Sequence, residues 1–510
     1  MFRPIGFCLL LFVLAISPPA PADVTYTETD ARTADSVTVI RMTVTPAAEP
    51  IPALKHRFVA RDIDLTAGNA VPYYYRALLD SALVMKRIRE KFGDDDEELG
   101  RWYGTGADAT PIDELPLERV REASGMLVSV IDNHLADAVA RRDCDWELGL
   151  EELRGIEVIQ YLLPEFQQSR DLARMVALRT RLAIAERRYE DAIDNMRMNY
   201  RLGGDVAKPP LLVCGLIGFA IESVANGTLM ELIAAPDSPN LYWALTDLPD
   251  PPADLRPAAR FELDFGPRMF PFIHHAETTE RADEEWNRLF TEAFRDLQKA
   301  GGAAALFGAA PVEESDAAAG LVATAAGLLG YSHAKQQLVA WGMDRGRVES
   351  MAVGQVMAIY TERNYRHFAD AYETLWYMPF WEMQKRGSPV NDELSDAGML
   401  SGNENRELMP MVSILLPAMQ AARAAQMRLE RDVAALRVIE ALRMYAAAHN
   451  GRLPVSLDEI DQVPVPMNPA TGKPFEYRVD GTTAILELPA SDGIRGYGRR
   501  FEIQIAGDKQ

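Results

Sequence analysis

The residues able to do chemistry are few and scattered. His274-His275-Ala276-Glu277 holds the one adjacent pair among the seven histidines. On a helix, His274 and Glu277 would share a face, as two ligands do in some zinc sites. A third ligand has no counterpart in the sequence and H-E-x-x-H does not occur. A polar helix start after Pro271 accounts for the cluster as well. Cys144-Asp145-Trp146 sets a thiol beside an acid, with no histidine near it in sequence to activate it. A structural tryptophan with its neighbours is the simpler reading. Trp376, Tyr377, Phe380 and Trp381 would stack a sugar or peptide if they lined a surface. Around Pro379 their spacing is that of a helix end packed into a core, where large aromatics dominate. Asp94-Asp95-Asp96-Glu97-Glu98 lacks the alternating ligands and central glycine of a calcium loop, so it reads as a solvated loop. Gly301-Gly302 leads into alanines without the Gly-Lys-Ser/Thr of a phosphate loop. No catalytic residue is assigned, and neither cofactor nor metal is expected.

One further pattern carries a mechanism. Ser332-His333-Ala334-Lys335 fits S-x-x-K and Ser401-Gly402-Asn403 fits S-x-N. Together they resemble motifs of the serine acyl-transferases acting on peptidoglycan, where a lysine activates a serine one helical turn away. The third element of that family, K-T-G on a strand, is missing, and Thr471-Gly472-Lys473 runs in the reverse order. The α/β sheet that should surround the motifs is missing too. A chance match is therefore the reading adopted.

The elements that would position any site are mainly helical. Val37–Val44 is rich in β-branched residues and predicts a strand. Pro46–Pro52 reads as a linker. From Tyr73 onward the apolar spacing takes the helical period. Leu172–Ala185 has good helix formers with apolar residues three and four apart, and Glu186-Arg187-Arg188 breaks it before a new helix starts at Tyr189. This pair resembles one tetratricopeptide hairpin, with Tyr189 and Ala192 in the aromatic and small positions. No repeat follows at that family's roughly 34-residue period, so an irregular α-solenoid or bundle is expected. Leu211–Ile221, ended by Glu222, and Ala317–Leu329 are both too short to span a membrane and read as buried helices. Ala300–Ser315 reads as a flexible connection, and Arg386–Glu407 as a second polar break. Leu429, Val433, Leu436, Ile439, Leu442 and Tyr445 share one helical face, and Asn450-Gly451 ends that helix. Phe475–Val479 and Thr483–Leu488 flank Asp480-Gly481, a hairpin signal, and Phe501–Ile505 alternates as a third strand. The expected organisation is residues 1–22 as a signal peptide and 23–52 as a strand with linker. Residues 53–300 then form a helical domain and 301–400 a second helical region. Residues 408–510 form a long helix with a small antiparallel sheet. In that last module the Leu436–Tyr445 face should cover the hairpin and Arg443 should be exposed.

Two resemblances extend this. Leu415-Leu416-Pro417-Ala418-Met419-Gln420-Ala421-Ala422-Arg423, Leu442-Arg443-Met444-Tyr445 and Asn450-Gly451-Arg452-Leu453-Pro454 follow the order of elements in pseudopilin-like proteins of type II secretion. In that family a long helix leads through N-G-x-x-P into a small sheet. The resemblance implies a helix-plus-sheet module. It does not imply filament assembly, because the matching stretch is internal and interrupted by Pro410 and Pro417. The longer chain resembles an uncharacterised family of exported bacterial helical proteins. The matching phrases are Thr66-Ala67-Gly68-Asn69-Ala70, Tyr74-Tyr75-Arg76-Ala77, Cys144-Asp145-Trp146, Pro239–Leu245 and Gly472–Tyr477. That likeness implies architecture and export and brings no catalytic residues with it.

Arg3, the uncharged run Ile5–Ile16 and the small-residue segment ending Ala20-Pro21-Ala22 have the layout of a secretory signal. Cys8 has no lipobox before it, so no lipid anchor is expected, and no transmembrane anchor after cleavage. A mature chain of about 490 residues is long enough for about two to four domains. The net charge of −22 excludes nucleic-acid and anionic-membrane partners, which need a positive surface. Cys144 and Cys214 are too few for a disulfide framework, though one bond between them stays open. The expectation is an exported protein, periplasmic or extracellular, acting as a non-enzymatic helical scaffold with protein partners in the cell envelope. The alternatives are a cell-envelope hydrolase with scattered catalytic residues and an accessory of a secretion or pilus-like system. N-terminal sequencing of protein from the native host should find a mature chain beginning at or within a few residues of Asp23, and an intact Met1 on cytoplasmic protein would refute export.

Overall fold

The computed structural model describes residues 24–29, 37–93, 96–154, 164–299, 329–395, 405–409, 411–490 and 498–506. Residues 1–22, most of the stretch read as a connection and a buried helix (300–328), and Ser401-Gly402-Asn403 lie outside them. Helices dominate, and the strands gather into one five-stranded sheet and one short pair.

Strands β1 (Val24–Thr29) and β2 (Val37–Val44) open the chain. The linker after β2 leads to β3 (Thr66–Asn69) and helix α1 (Val71–Phe92). Two shorter helices follow, α2 (Asp96–Tyr103) and α3 (Leu117–Met126), then β4 (Arg141–Asp143), which pairs with β3. Next come α4 (Pro164–Ala185) and α5 (Tyr189–Val206), with the expected break between them. The break is a Schellman turn. Arg187 takes a left-handed φ of 57°, and the Arg188 N–H reaches back to the Ala183 carbonyl at 2.8 Å. Helix α6 (Leu212–Ala234) does not end at Glu222 as expected but continues for three turns beyond it. Among the described residues it is the one helix long and apolar enough to cross a bilayer, and most of it is buried inside the fold. Then come α7 (Tyr242–Thr246), α8 (Arg256–Leu263), α9 (Asp283–Lys299), α10 (Val353–Leu375), α11 (Phe380–Ser395) and α12 (Met411–Ala448). Helix α11 thus carries helical structure into the stretch read as a polar break from Arg386. Strands β5 (Glu476–Asp480), β6 (Thr483–Leu488) and β7 (Gly498–Ile505) close the chain.

The C-terminal strands are antiparallel among themselves, as expected, but the sheet does not stop there. Its order is β1-β2-β7-β6-β5, and β2 runs parallel to β7 from Val37↔Gly498 to Val44↔Ile505. The N-terminal strand is therefore an inner strand of the C-terminal sheet. Arg41 Nε donates to Glu502 across that seam at 2.8 Å. Pairing both edges of β2 removes a row of open backbone groups that a three-stranded C-terminal sheet would leave on β7.

Among the described residues two large apolar cores divide the helices, and a small third cluster joins Phe380 to Ala424, Met427 and Ala470. The larger joins the sheet to α1–α7 and the C-terminal half of α12, and the smaller gathers α8–α10 with the N-terminal half of α12. The packing thus changes from one core to the other near residue 250, because Leu255, Trp286 and Phe294 cluster with Val356, Phe368 and Leu375. Helices α6 and α12 contribute to both cores.

From Ala422 to Ala446 helix α12 is enclosed on all sides, which corrects the expected exposure of Arg443. Leu436, Ile439 and Leu442 are buried, but so are Ala435, Val438, Ala441 and Met444 on other faces. Tyr445, expected among the covering residues, is half-buried and stacks on His449 with ring centres 3.8 Å apart. The helix serves the sheet and the α6–α7 array at once. The Arg443 guanidinium is fully buried. It pairs with Glu440 at 3.0 Å and donates to the carbonyls of Thr45 (2.9 Å) and Ser238 (2.7 Å).

Leu442→Ala removes a fully buried side chain and should lower the unfolding free energy of the full chain by about 2–5 kcal/mol. Arg443→Ala leaves Glu440 buried without its partner and should lower it by about 3–5 kcal/mol. Arg478→Ala, which breaks an exposed pair with Glu487, should lower it by less than about 1 kcal/mol. Urea denaturation of the three variants checks this order.

Candidate binding pocket

A cavity of about 470 Å³ opens beside α5 and α6. One face of α5 supplies Asp194, Arg197, Arg201, Gly204 and Asp205, spaced three and four apart as a single helical stripe, and Lys208 follows just past its end. Helix α6 supplies Glu222. The apolar wall comes from Phe58, Val59 and Ala60 ahead of β3, and from Leu248, Pro249 and Pro252 after α7.

Asp205 is the fixed point of the site. Only 1% of it is exposed, and its carboxylate is held from three sides. The Tyr74 hydroxyl donates to Oδ2 at 2.7 Å and Arg201 Nε to the same oxygen at 2.9 Å, while the Lys208 ammonium forms an ion pair with Oδ1 at 2.8 Å. Trp146 Nε1 donates to the Asp205 backbone carbonyl at 2.9 Å and stacks on Tyr74 with ring centres 5.8 Å apart. Asn69 completes this corner. Its side chain donates to the Asp145 carbonyl at 2.7 Å and accepts from the Asp145 N–H at 3.0 Å. The short sequence phrases around Asn69, Tyr74 and Trp146 thus meet at one joint behind the cavity.

Glu222 is the opposite case. It is 6% exposed, and no described residue pairs with or hydrogen-bonds to its carboxyl. Burial without a counter-charge pushes its pKa up to about 8, so at neutral pH it is mostly protonated and can donate a hydrogen bond. Room for it exists because residue 203 is glycine. A β-carbon there would lie 2.6 Å from Glu222 Cγ and 3.0 Å from the Gly218 carbonyl. Gly218 meets the backbone of Gly203 in the same way, so the two helices approach to glycine distance. Next to Glu222, the Tyr200 hydroxyl donates to Asn226 Oδ1 at 2.6 Å. With Glu222 neutral, the lining carries three cations against two carboxylates and so a small positive excess.

The sequence candidates fall elsewhere. His274 Nδ1 lies 3.1 Å from Glu362, while Glu277 pairs with Arg363 at 3.1 Å, so both are engaged by α10 and do not converge. Lys335 faces Glu349 at 3.7 Å, and His333 contacts the Tyr360 hydroxyl at 3.1 Å. Trp376 is buried in the smaller core and Phe380 in a separate cluster with Ala424, Met427 and Ala470, and Trp381 packs over the turn at Gly472, whose φ of 67° and lack of a β-carbon admit the indole. Cys144 and Cys214 are free thiols. Burial, with Asp205 as a second cause for Cys144, pushes both up to about 12, far from thiolate at neutral pH. Of the sequence candidates among the described residues, Cys144 approaches the pocket, with Sγ 4.0 Å from the Asp205 carbonyl. Glu222 and Asp205 were not singled out by their spacing. A signal did exist: an acid inside the apolar run of α6, and the Gly203-Gly204 pair inside a helix.

Comparison with protein-family models, with curated proteins and with solved structures finds no match to this chain.

Glu222 makes stability depend on pH in a defined direction. Its folded pKa lies above the ordinary carboxylate value, so the folded state holds the proton more tightly. The stabilisation is fully present below about pH 4.5 and is lost as pH rises toward 8. Glu222→Gln mimics the neutral form and should remove this contribution. The variant should gain stability relative to the parent between pH 5 and 8, by on the order of a few kcal/mol at the upper end. Urea midpoints of both proteins across that range check it, and parallel curves would contradict it.

Proposed function

We propose that this is an exported, non-enzymatic binding protein of the cell envelope, whose helical array holds a small amphipathic anion in the pocket beside α5 and α6. The observation that carries the reading is the unpaired, buried Glu222 facing a cavity with an apolar wall on one side and an arginine–lysine edge on the other. Buried acids in proteins are ordinarily paired. Glu231 and Glu440, the other two buried glutamates on α6 and α12, obey that rule with Arg181 and Arg443. A ligand with an apolar body, an acceptor for the Glu222 proton and a negative group near Arg197 or Lys208 would satisfy all three surfaces. Export rests on Arg3, the apolar run and Ala20-Pro21-Ala22. The surface of a helical array also suits protein partners in the envelope.

A hydrolase is the second reading, favoured by the same residue, since a carboxyl titrating near pH 8 has the protonation state of a general acid. Hydrolysis also needs a base or nucleophile. Asp205 is held by two hydrogen bonds and an ion pair, and burial keeps the Cys144 thiol protonated. Binding therefore fits the geometry better than turnover.

Gly204 provides the test. It lines the cavity, and a β-carbon built on it meets nothing within 4 Å. Gly204→Phe should fill the pocket without disturbing the helix. Anilinonaphthalene sulfonate, an amphipathic anion, should bind the parent at one saturable site and bind the variant at least about tenfold more weakly, with unchanged circular dichroism and melting temperature. Equal binding to both proteins would refute the assignment.

A further inference from the structure

A second cavity, of about 310 Å³, lies where the sheet meets the helices, on the other side of the Tyr200–Asn226 hydrogen bond from the pocket above. Tyr26, Ile40 and Phe501 stand side by side across β1, β2 and β7, as the registers Tyr26↔Ile40 and Ile40↔Phe501 require. Ser223, Asn226 and Met230 face them from α6, and Asp432 from α12.

Three of the residues lining this cavity each carry a buried polar atom without a hydrogen-bond partner: the Tyr26 hydroxyl, Asn226 Nδ2 and Asp432 Oδ1. Each comes from a different element. Asn226 is 4% exposed, and Tyr200 occupies one end of its amide, so whichever way the amide is turned the other end is open. Unpaired buried polar atoms are rare because each forfeits its hydration. Three around one cavity mark a place built to be filled by something polar.

The lining decides what kind of molecule. Arg499 is paired with Asp432 at 2.7 Å, so the site has no spare charge for an ion. An anion would meet Asp432 and a cation would meet Arg499. A purely apolar guest would leave all three polar atoms unpaired. The hydroxyl and amide donate, the carboxylate oxygen accepts, and Ile40, Met230 and Phe501 offer apolar surface. We propose that this cavity binds a small neutral polyhydroxylated molecule, a single monosaccharide unit, through the Tyr26 hydroxyl, the Asn226 amide and the Asp432 carboxylate. A sugar ring presents alternating donors and acceptors at its rim and an apolar C–H face, which matches this lining. The inference is independent of the anion pocket.

The test titrates D-glucose, D-galactose and N-acetyl-D-glucosamine separately into the full mature chain by calorimetry and saturation-transfer NMR. At least one should bind at a single site. Tyr26→Phe keeps the ring and removes a hydroxyl that has no partner in the fold, so its melting temperature should not fall, while sugar binding should weaken at least about tenfold. Asp432→Asn should weaken binding as well, and Gly204→Phe should leave it unchanged. Failure of all three sugars to bind would overturn the proposal, as would a crystal structure from sugar-soaked crystals showing ordered water only in the cavity. Binding that is indifferent to Tyr26→Phe, or abolished by Gly204→Phe, would overturn it too.

Discussion

The structure turns on the Arg443 guanidinium. It is fully buried on α12 and ties together three segments far apart in the chain. Its Nε donates to Thr45 in the linker after β2, its Nη2 to Ser238 in the turn after α6, and its Nη1 to Glu440 one helical turn back. The linker answers with a bond of its own, from the Ala47 N–H to the Arg443 carbonyl at 3.2 Å. Asn240 adds another, from its amide to the Glu440 carbonyl at 2.9 Å. A buried charge is tolerated only when its hydrogen-bonding capacity is filled. Here the filling is done by loop carbonyls that would otherwise be unsatisfied, so one arginine fixes both the path of the linker and the seat of α12. The parallel pairing of β2 with β7 depends on that placement.

Arg181 repeats the device at the other end of the array. It pairs with Glu231 and donates to the Arg101 and Trp102 carbonyls, holding the C-terminal end of α2 against α4 and α6. Against these two saturated pairs, Glu222 stands out. It sits on the same helix as Glu231, equally buried, and has no arginine. Structural stability does not require a lone acid at that position, and the backbone of α5 is thinned to glycine to make room for it. This contrast sets Glu222 apart from the paired acids Glu231 and Glu440.

Helix α6 carries both cavities. Glu222 faces one and Asn226, a turn later, the other. The Tyr200 hydroxyl bridges the wall between them. Side chains that would merely be interior in a bundle acquire polar tasks because α6 is flanked on one side by α5 and on the other by the sheet.

Much of the local structure was legible from residue types. The β-branched run Val37–Val44 is a strand to the residue, the helix ending at Ala185 and the restart at Tyr189 fall as read, and Asp480-Gly481 makes its hairpin turn. Asn450-Gly451 ends α12 with both residues at positive φ. These outcomes depend on neighbours within a few positions, through propensity, period and turn chemistry. What covers each face was decided by the tertiary fold alone. Arg443 looked exposed because a charged residue between apolar ones implies an outer face, and that inference holds only for a helix with one open side. Glu222 looked like the end of an apolar run for the same reason. The partner of β2 lies about 460 residues away, and no local period encodes a contact at that distance. The sequence by itself determined which segments are helix and strand. The tertiary structure decided which of the polar residues are buried, which are paired, and which is left facing a cavity, because burial and pairing are properties of the neighbours that folding brings in.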